Sequence, residues 1–199
     1  MSDTSKLSTC QIVCWGLAAL AGLAVLIFAT GAVGLVAALL LAAAFTAFLG
    51  LVFGRLICIG YSAEDRGIEA ELCRLSVLAC DDARIAELNG EYRAKAKPTN
   101  VLSWPAEERG AEDPGAHPEP PAPDVFGEIE LGDLAIAYET CAREAEEQGK
   151  SVEDHTLHLL IHAVLHLLGY DHIRDEDAQV MEQIEIRLLE SVGIRNPYV

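Results

Sequence analysis

From Leu7 to Gly54 the chain runs for 48 residues without a charge, and no other feature restricts its folding so severely. Most of the run is Ala, Leu, Val, Gly or Phe. A helix needs about 20 residues to cross the hydrocarbon core of a bilayer, so the run has the length for two spans. "ATGAVG", Ala29 to Gly34, is the natural turn between them. A cleaved signal peptide fits poorly, because its apolar core is only about 7–15 residues long. A soluble buried hairpin would need a polar face to show water, and this run has none. The expectation is a hydrophobic, transmembrane helical hairpin over residues 1–60, inserting through residues 12–59. Lys6 and Arg55 flank it and place both ends on the cytoplasmic side.

The rest of the chain, residues 61–199, is expected to form one catalytic domain of ordinary size. Of the 14 basic and 31 acidic residues only Lys6, Arg55 and Asp3 precede Tyr61, which leaves the domain at a formal charge of −18. Such a field opposes casual attraction to nucleic acid or anionic lipid. A polyanionic substrate therefore needs a local cationic spot or a metal ion. The six cysteines form no CxxC pair. They read as reduced thiols packed as small apolar residues, which suits a cytoplasmic domain.

Arg74–Cys80, Thr99–Trp104 and Ile129–Tyr138 have strand character, the last with a bulge or bend at Gly132-Asp133. Asp81 or Asp82 caps a short helix that closes near Asn89-Gly90. Pro105–Asp124 holds six prolines and six acidic residues in twenty, the composition of a solvated, flexible loop, with His117 solvated inside it. A polar helix follows Tyr138. Ser151-x-x-Asp154 resembles a capping box that opens the next helix, and Gly169 ends it. The last helix carries Met181, Ile184, Leu188 and Val192 on one stripe. Strands followed by helices that pack on them indicate an α+β layer with a small mixed sheet.

The helix that Gly169 ends carries the chemistry, in "HAVLHLLGYDH", His162 to His172. Residues four apart share a helix face, so His162 and His166 reach one ion together. Gly169 takes the left-handed conformation that swings the chain back, bringing His172 as a third nitrogen. Three imidazoles leave the fourth tetrahedral position open, which is the catalytic rather than the structural zinc arrangement. The spacing is that of a zinc peptidase, but Ala163 stands where such a peptidase keeps its glutamate base. His158 and His155 lie on the same helix and read as outer or rim groups. Asp171 is either an orienting partner of a ligand imidazole or a turn residue. Away from this helix, Arg93, Lys95 and Lys97 form the one tight basic cluster of the acidic domain.

Several stretches together resemble the YbeY family of bacterial endoribonucleases, also called rRNA maturation factors. They are "LNGEYRAKAKPTNVLSWP" (Leu88 to Pro105), "ELGDLAIA", "HLLIHAVLHLLGYDH", "MEQIE" and the terminal "NPY", over residues 72 to 199. The resemblance implies an α+β fold with a zincin-like metal helix and one zinc per chain on His162, His166 and His172. It implies Arg93 as the active-site arginine, and the basic cluster then makes Lys95 and Lys97 candidate substrate-binding cations beside it. The implied activity is cleavage of single-stranded RNA in 16S rRNA 3′-end maturation and late ribosome quality control. The implied partners are precursor rRNA and the ribosome or its proteins. The expected location is a cytoplasmic catalytic domain tethered to the inner membrane by the hairpin. The chain departs from the family pattern by lacking the strand and helix that precede the segment matching "RLSVLACDD". Two other readings stay open: a membrane-anchored zinc peptidase-like hydrolase, and an inactive zinc-stabilised module that binds ribosomes.

Overall fold

The computed structural model describes residues 72–199. The expected hairpin of residues 1–60 lies outside them. Among the described residues no helix is long and apolar enough to cross a membrane. β3 (Ile129–Ala137) is the centre of a three-stranded sheet, with β1 (Cys73–Cys80) parallel on one side and β2 (Val101–Pro105) antiparallel on the other. All of β3 except Glu130 and Asp133 is buried, the mark of a strand covered on both faces. β1 has no fully buried residue and alternates half-buried Leu75 and Val77 with exposed Arg74 and Ser76. That is an edge strand with one wet face.

The expected irregularity in β3 falls one residue before Gly132-Asp133. Arg74 pairs with Glu130 and Leu75 with Gly132, so Leu131 is the extra residue of a bulge. Gly132 follows at a φ of +126°, and a Cβ there would stand 2.1 Å from the carbonyl oxygen of Trp104. Only glycine lets β2 come this close.

Among the described residues four helices complete the α+β layer: α1 (Asp82–Arg93), α2 (Tyr138–Glu147), α3 (Val152–Leu167) and α4 (Asp175–Ser191). α1 covers one face of the sheet, where Ile85 and Leu88 pack on Leu102, Ala135 and Ala137. α3 packs against β2 and β3 and is flanked by α2 and α4. Asp81 caps α1, accepting from the Arg84 amide at 2.7 Å. The expected stop at Asn89-Gly90 does not occur, and α1 continues to Arg93. The pair holds the loop that follows the helix instead. A Cβ on Gly90 would meet Ala96 Cβ at 3.2 Å, and the buried Asn89 amide donates to the Lys97 carbonyl at 2.9 Å. The helix ends one residue later, with Ala94 in the left-handed region (φ 54°). In α4 the buried stripe is Met181, Ile184, Leu188 and Leu189 together with Glu185, while Val192 is exposed. Among the described residues Cys80 and Cys141 are reduced thiols, half-buried and buried.

The Pro-rich segment between β2 and β3 is not the solvated, flexible excursion its composition implies. Arg109 is nearly buried and donates to the carbonyls of Leu167 and Glu130. Arg174 donates to the carbonyls of Ala111 and Glu112. The Gly115 amide donates to Asp177 at 2.8 Å, and Pro118 and Pro121 are buried. Two arginines thus take up backbone carbonyls that would otherwise need water. The segment is strapped over the C-terminal end of α3. His117 is exposed, yet its Nδ1 lies 3.1 Å from the Tyr170 hydroxyl.

Candidate metal centre and its surroundings

α3 opens as the capping pattern requires, with Ser151 Oγ accepting from the Asp154 amide at 3.0 Å. Its other end matters more. The Tyr170 amide donates to the Leu165 carbonyl and the Gly169 amide to the His166 carbonyl, both at 3.0 Å. This is the paired closure of a Schellman motif, with Gly169 at a φ of +92°. The reversal returns the chain so that His172 comes back to the helix. The nitrogens of His162, His166 and His172 then lie within 4.8 Å of one another. Ring centroids are 4.6 Å apart for His162 and His166, 5.2 Å for His162 and His172, and 5.0 Å for His166 and His172. His172 is exposed and the other two are half-buried, so the cluster faces solvent on the His172 side.

Outer partners set which nitrogen faces inward. His166 Nδ1 lies 3.0 Å from the Tyr170 carbonyl. A carbonyl only accepts, so Nδ1 carries the proton and Nε2 keeps its lone pair. His162 Nδ1 donates to Glu185 Oε1 at 2.8 Å, which leaves its Nε2 bare as well. The two Nε2 atoms face each other across 3.1 Å. Two lone pairs at that separation repel, and a cation shared between them removes the repulsion. Burial, then the neighbouring His162 and His172, push His166 down to about 4, so it is neutral at pH 7 and available as a ligand. The donor set therefore fits a divalent ion that favours imidazole nitrogen. It is the one such cluster among the described residues.

Glu185 is the residue the sequence reading missed. It is fully buried and its carboxylate accepts from His162, His158 and Tyr198. Burial alone would raise its pKa, but those three hydrogen bonds outweigh it and hold the group at about 2. The signal was a carboxylate on the apolar stripe of α4, where an unpaired charge would be very costly. His158 is an outer group, as expected, at 3.0 Å from Glu185 Oε2. His155 belongs to a different network, with Glu144 and Asn100. Asp171 resolves as a turn residue, for its carboxylate accepts the His172 backbone N–H at 2.7 Å. Ala163 is 1 % exposed and faces the core. A glutamate base has no place there.

Arg93, Lys95 and Lys97 are all exposed, around the left-handed Ala94. None of them hydrogen-bonds to the histidines or pairs with a carboxylate among the described residues. Tyr92 is 60 % exposed, and its ring stands edge-on to Trp104 at 5.3 Å. This corner therefore presents three cations and an aromatic ring on a strongly acidic domain.

Two predictions follow from the local geometry. Gly169→Ala combines a strained φ with a Cβ placed 2.9–3.0 Å from the Arg109 backbone. It should lower unfolding free energy by about 2–4 kcal/mol in chemical denaturation and weaken metal binding by shifting His172. Acidification should destabilise the metal-free protein in two stages. Between pH 6.5 and 4 the unfolded His166 takes up a proton that the folded one refuses. Below 4.5 the same holds for Glu185. Stability decreases as the pH is lowered wherever the unfolded state binds more protons. Urea midpoints at pH 7.5 and pH 5 should therefore differ, and equal midpoints would contradict the linkage.

The family model described as "Endoribonuclease YbeY" matches residues 58–193. Proteins named endoribonuclease YbeY are similar over most of their length. That of Ruegeria pomeroyi is 58% identical over 132 residues, which is 66% of this chain and 80% of the relative. That of Cereibacter sphaeroides is 61% identical over 130 residues, or 65% of this chain and 78% of the relative. That of Paracoccus denitrificans is 63% identical over 123 residues, or 62% and 68%. A histidine trio closed by a glycine-terminated helix, on a chain matched by the family model over most of its length, settles the assignment: this protein belongs to the YbeY endoribonuclease family.

Proposed function

We propose that this chain hydrolyses phosphodiester bonds in single-stranded RNA, with one zinc ion held by His162, His166 and His172. The observation that carries the reading is the pair of bare Nε2 atoms at 3.1 Å, beside an exposed third imidazole and with no carboxylate base. Peptide hydrolysis needs a base for water and an acid for a poor amine leaving group, and Ala163 supplies neither. Cleavage of a phosphodiester draws more on stabilised charge. When bound, zinc supplies a Lewis acid for a phosphoryl oxygen or a water of lowered pKa.

The chain's own residues do the rest. The Tyr170 carbonyl and Glu185 hold two ligand rings in the binding tautomer. Arg93 provides a planar guanidinium that matches two phosphate oxygens, and Lys95 and Lys97 add positive charge where the domain otherwise repels RNA. The nucleophile is a water molecule, which hydrolyses the bond directly, or the 2′-hydroxyl of the RNA itself, which expels the 5′-hydroxyl and leaves a 2′,3′-cyclic phosphate for water to open. We assign the activity to 16S rRNA 3′-end maturation and late ribosome quality control, with precursor rRNA and ribosomal proteins as partners. The test incubates zinc-loaded protein, with and without chelator, with single-stranded RNA, duplex RNA and a peptide library. Chelator-sensitive cleavage of the single strand alone is expected. Peptide cleavage would restore the peptidase reading, and zinc retention without turnover would indicate a binding module.

A further inference from the structure

Glu185 has two oxygens with different tasks. Oε1 takes His162 Nδ1 at 2.8 Å, while Oε2 takes His158 Nε2 at 3.0 Å and the hydroxyl of Tyr198. Tyr198 reaches this buried carboxylate from the end of the chain by two successive reversals. α4 closes with the Ile194 amide on the Leu189 carbonyl and the Gly193 amide on the Glu190 carbonyl, Gly193 having a φ of +85°. The Tyr198 amide then donates to Asn196 Oδ1 at 2.8 Å. The ring lands edge-on against His158, with centroids 5.8 Å apart. His158 Nδ1 is buried without a partner, so the contact with Glu185 is the one hydrogen bond that orients its ring.

We propose that the C-terminal tail is part of the metal centre, with Tyr198 and His158 as positioning residues that fix the Glu185 carboxylate and, through it, the ring of His162. A fully buried carboxylate with an unmet oxygen turns to find donors. With Oε2 pinned from two sides, Oε1 stays aimed at His162 Nδ1–H, which keeps Nε2 on the ion. The inference rests on the metal reading above. Their role is positioning, since neither residue belongs to the cluster of three imidazoles.

The full-length protein and its Tyr198→Phe variant should be titrated with zinc against a chromophoric chelator, and with cobalt while the visible absorption is recorded. Loss of an outer partner of a ligating histidine typically weakens metal binding about 10–100-fold. Tyr198→Phe should fall in that range, with an altered cobalt spectrum, alongside a modest drop in the melting temperature of the metal-free protein from the lost hydrogen bond. In a Glu185→Gln background the same change should have no further effect, because the path runs through that carboxylate. Parent-like zinc affinity and cobalt spectrum in Tyr198→Phe would overturn the proposal while leaving the zinc site intact. So would an equal loss in both backgrounds. A parent protein that binds no zinc would sink the metal reading itself, and this inference with it.

Discussion

Replacing His166 with alanine should reduce zinc stoichiometry from about one to none and bring RNA cleavage down to the level of the chelated parent. The ring closes a triangle with its two partners, with Nε2 3.1 Å from His162 Nε2 and its centroid 5.0 Å from that of His172. Its Nδ1 is locked to the Tyr170 carbonyl, so it reaches the site already oriented. Changes to outer partners alone cost about 10–100-fold in metal affinity, and loss of an inner nitrogen should exceed that. The remaining donors are His162 and the exposed His172, which make no closed face of a tetrahedron. Competition titration reads the first effect and a gel assay on single-stranded RNA the second. Zinc held at parent affinity by the variant would show that the three rings do not share an ion.

Arg93→Ala should behave in the opposite way, keeping the metal and losing the chemistry. The side chain is exposed and unpaired, so its removal has little structural cost. A cation in the last turn of α1 contributes about 0.3–1 kcal/mol through the helix dipole, and surface changes otherwise stay within about 0.5 kcal/mol. A donor aimed at developing charge is worth about 10²–10³ in rate. Cleavage should fall by that factor while zinc stoichiometry and melting stay near those of the parent. Arg93→Lys should recover only part of it, since an ammonium cannot grip two phosphate oxygens with a planar fork. Undiminished cleavage by Arg93→Ala would remove this residue from the active site.

Some of this was legible before any coordinates. Ser151-x-x-Asp154 and Gly169 bracket α3 because both act within a few residues: the cap bonds a nearby amide, and the glycine relieves a local φ. The spacing of His162, His166 and His172 carried the metal cluster for the same reason. Asn89-Gly90 misled because the two residues make room for and hold the loop that follows, Ala96 packing close to Gly90 and Asn89 bonding the Lys97 carbonyl. The Pro-rich segment misled through composition. Its Ala111 and Glu112 carbonyls find Arg174, more than sixty positions away along the chain, and its Arg109 reaches out to the carbonyls of Leu167 and Glu130. No local pattern encodes such a pairing.

Residue spacing by itself determined that three imidazoles converge and that no glutamate base accompanies them, since helix periodicity and one glycine suffice to place the nitrogens. Only the folded structure decided which nitrogen of the His162 and His166 rings faces inward. That choice belongs to the Tyr170 carbonyl and to Glu185, and through Glu185 to His158 and Tyr198 from two further elements. A hydrogen bond between side chains far apart in sequence exists only once the helices that carry them have packed.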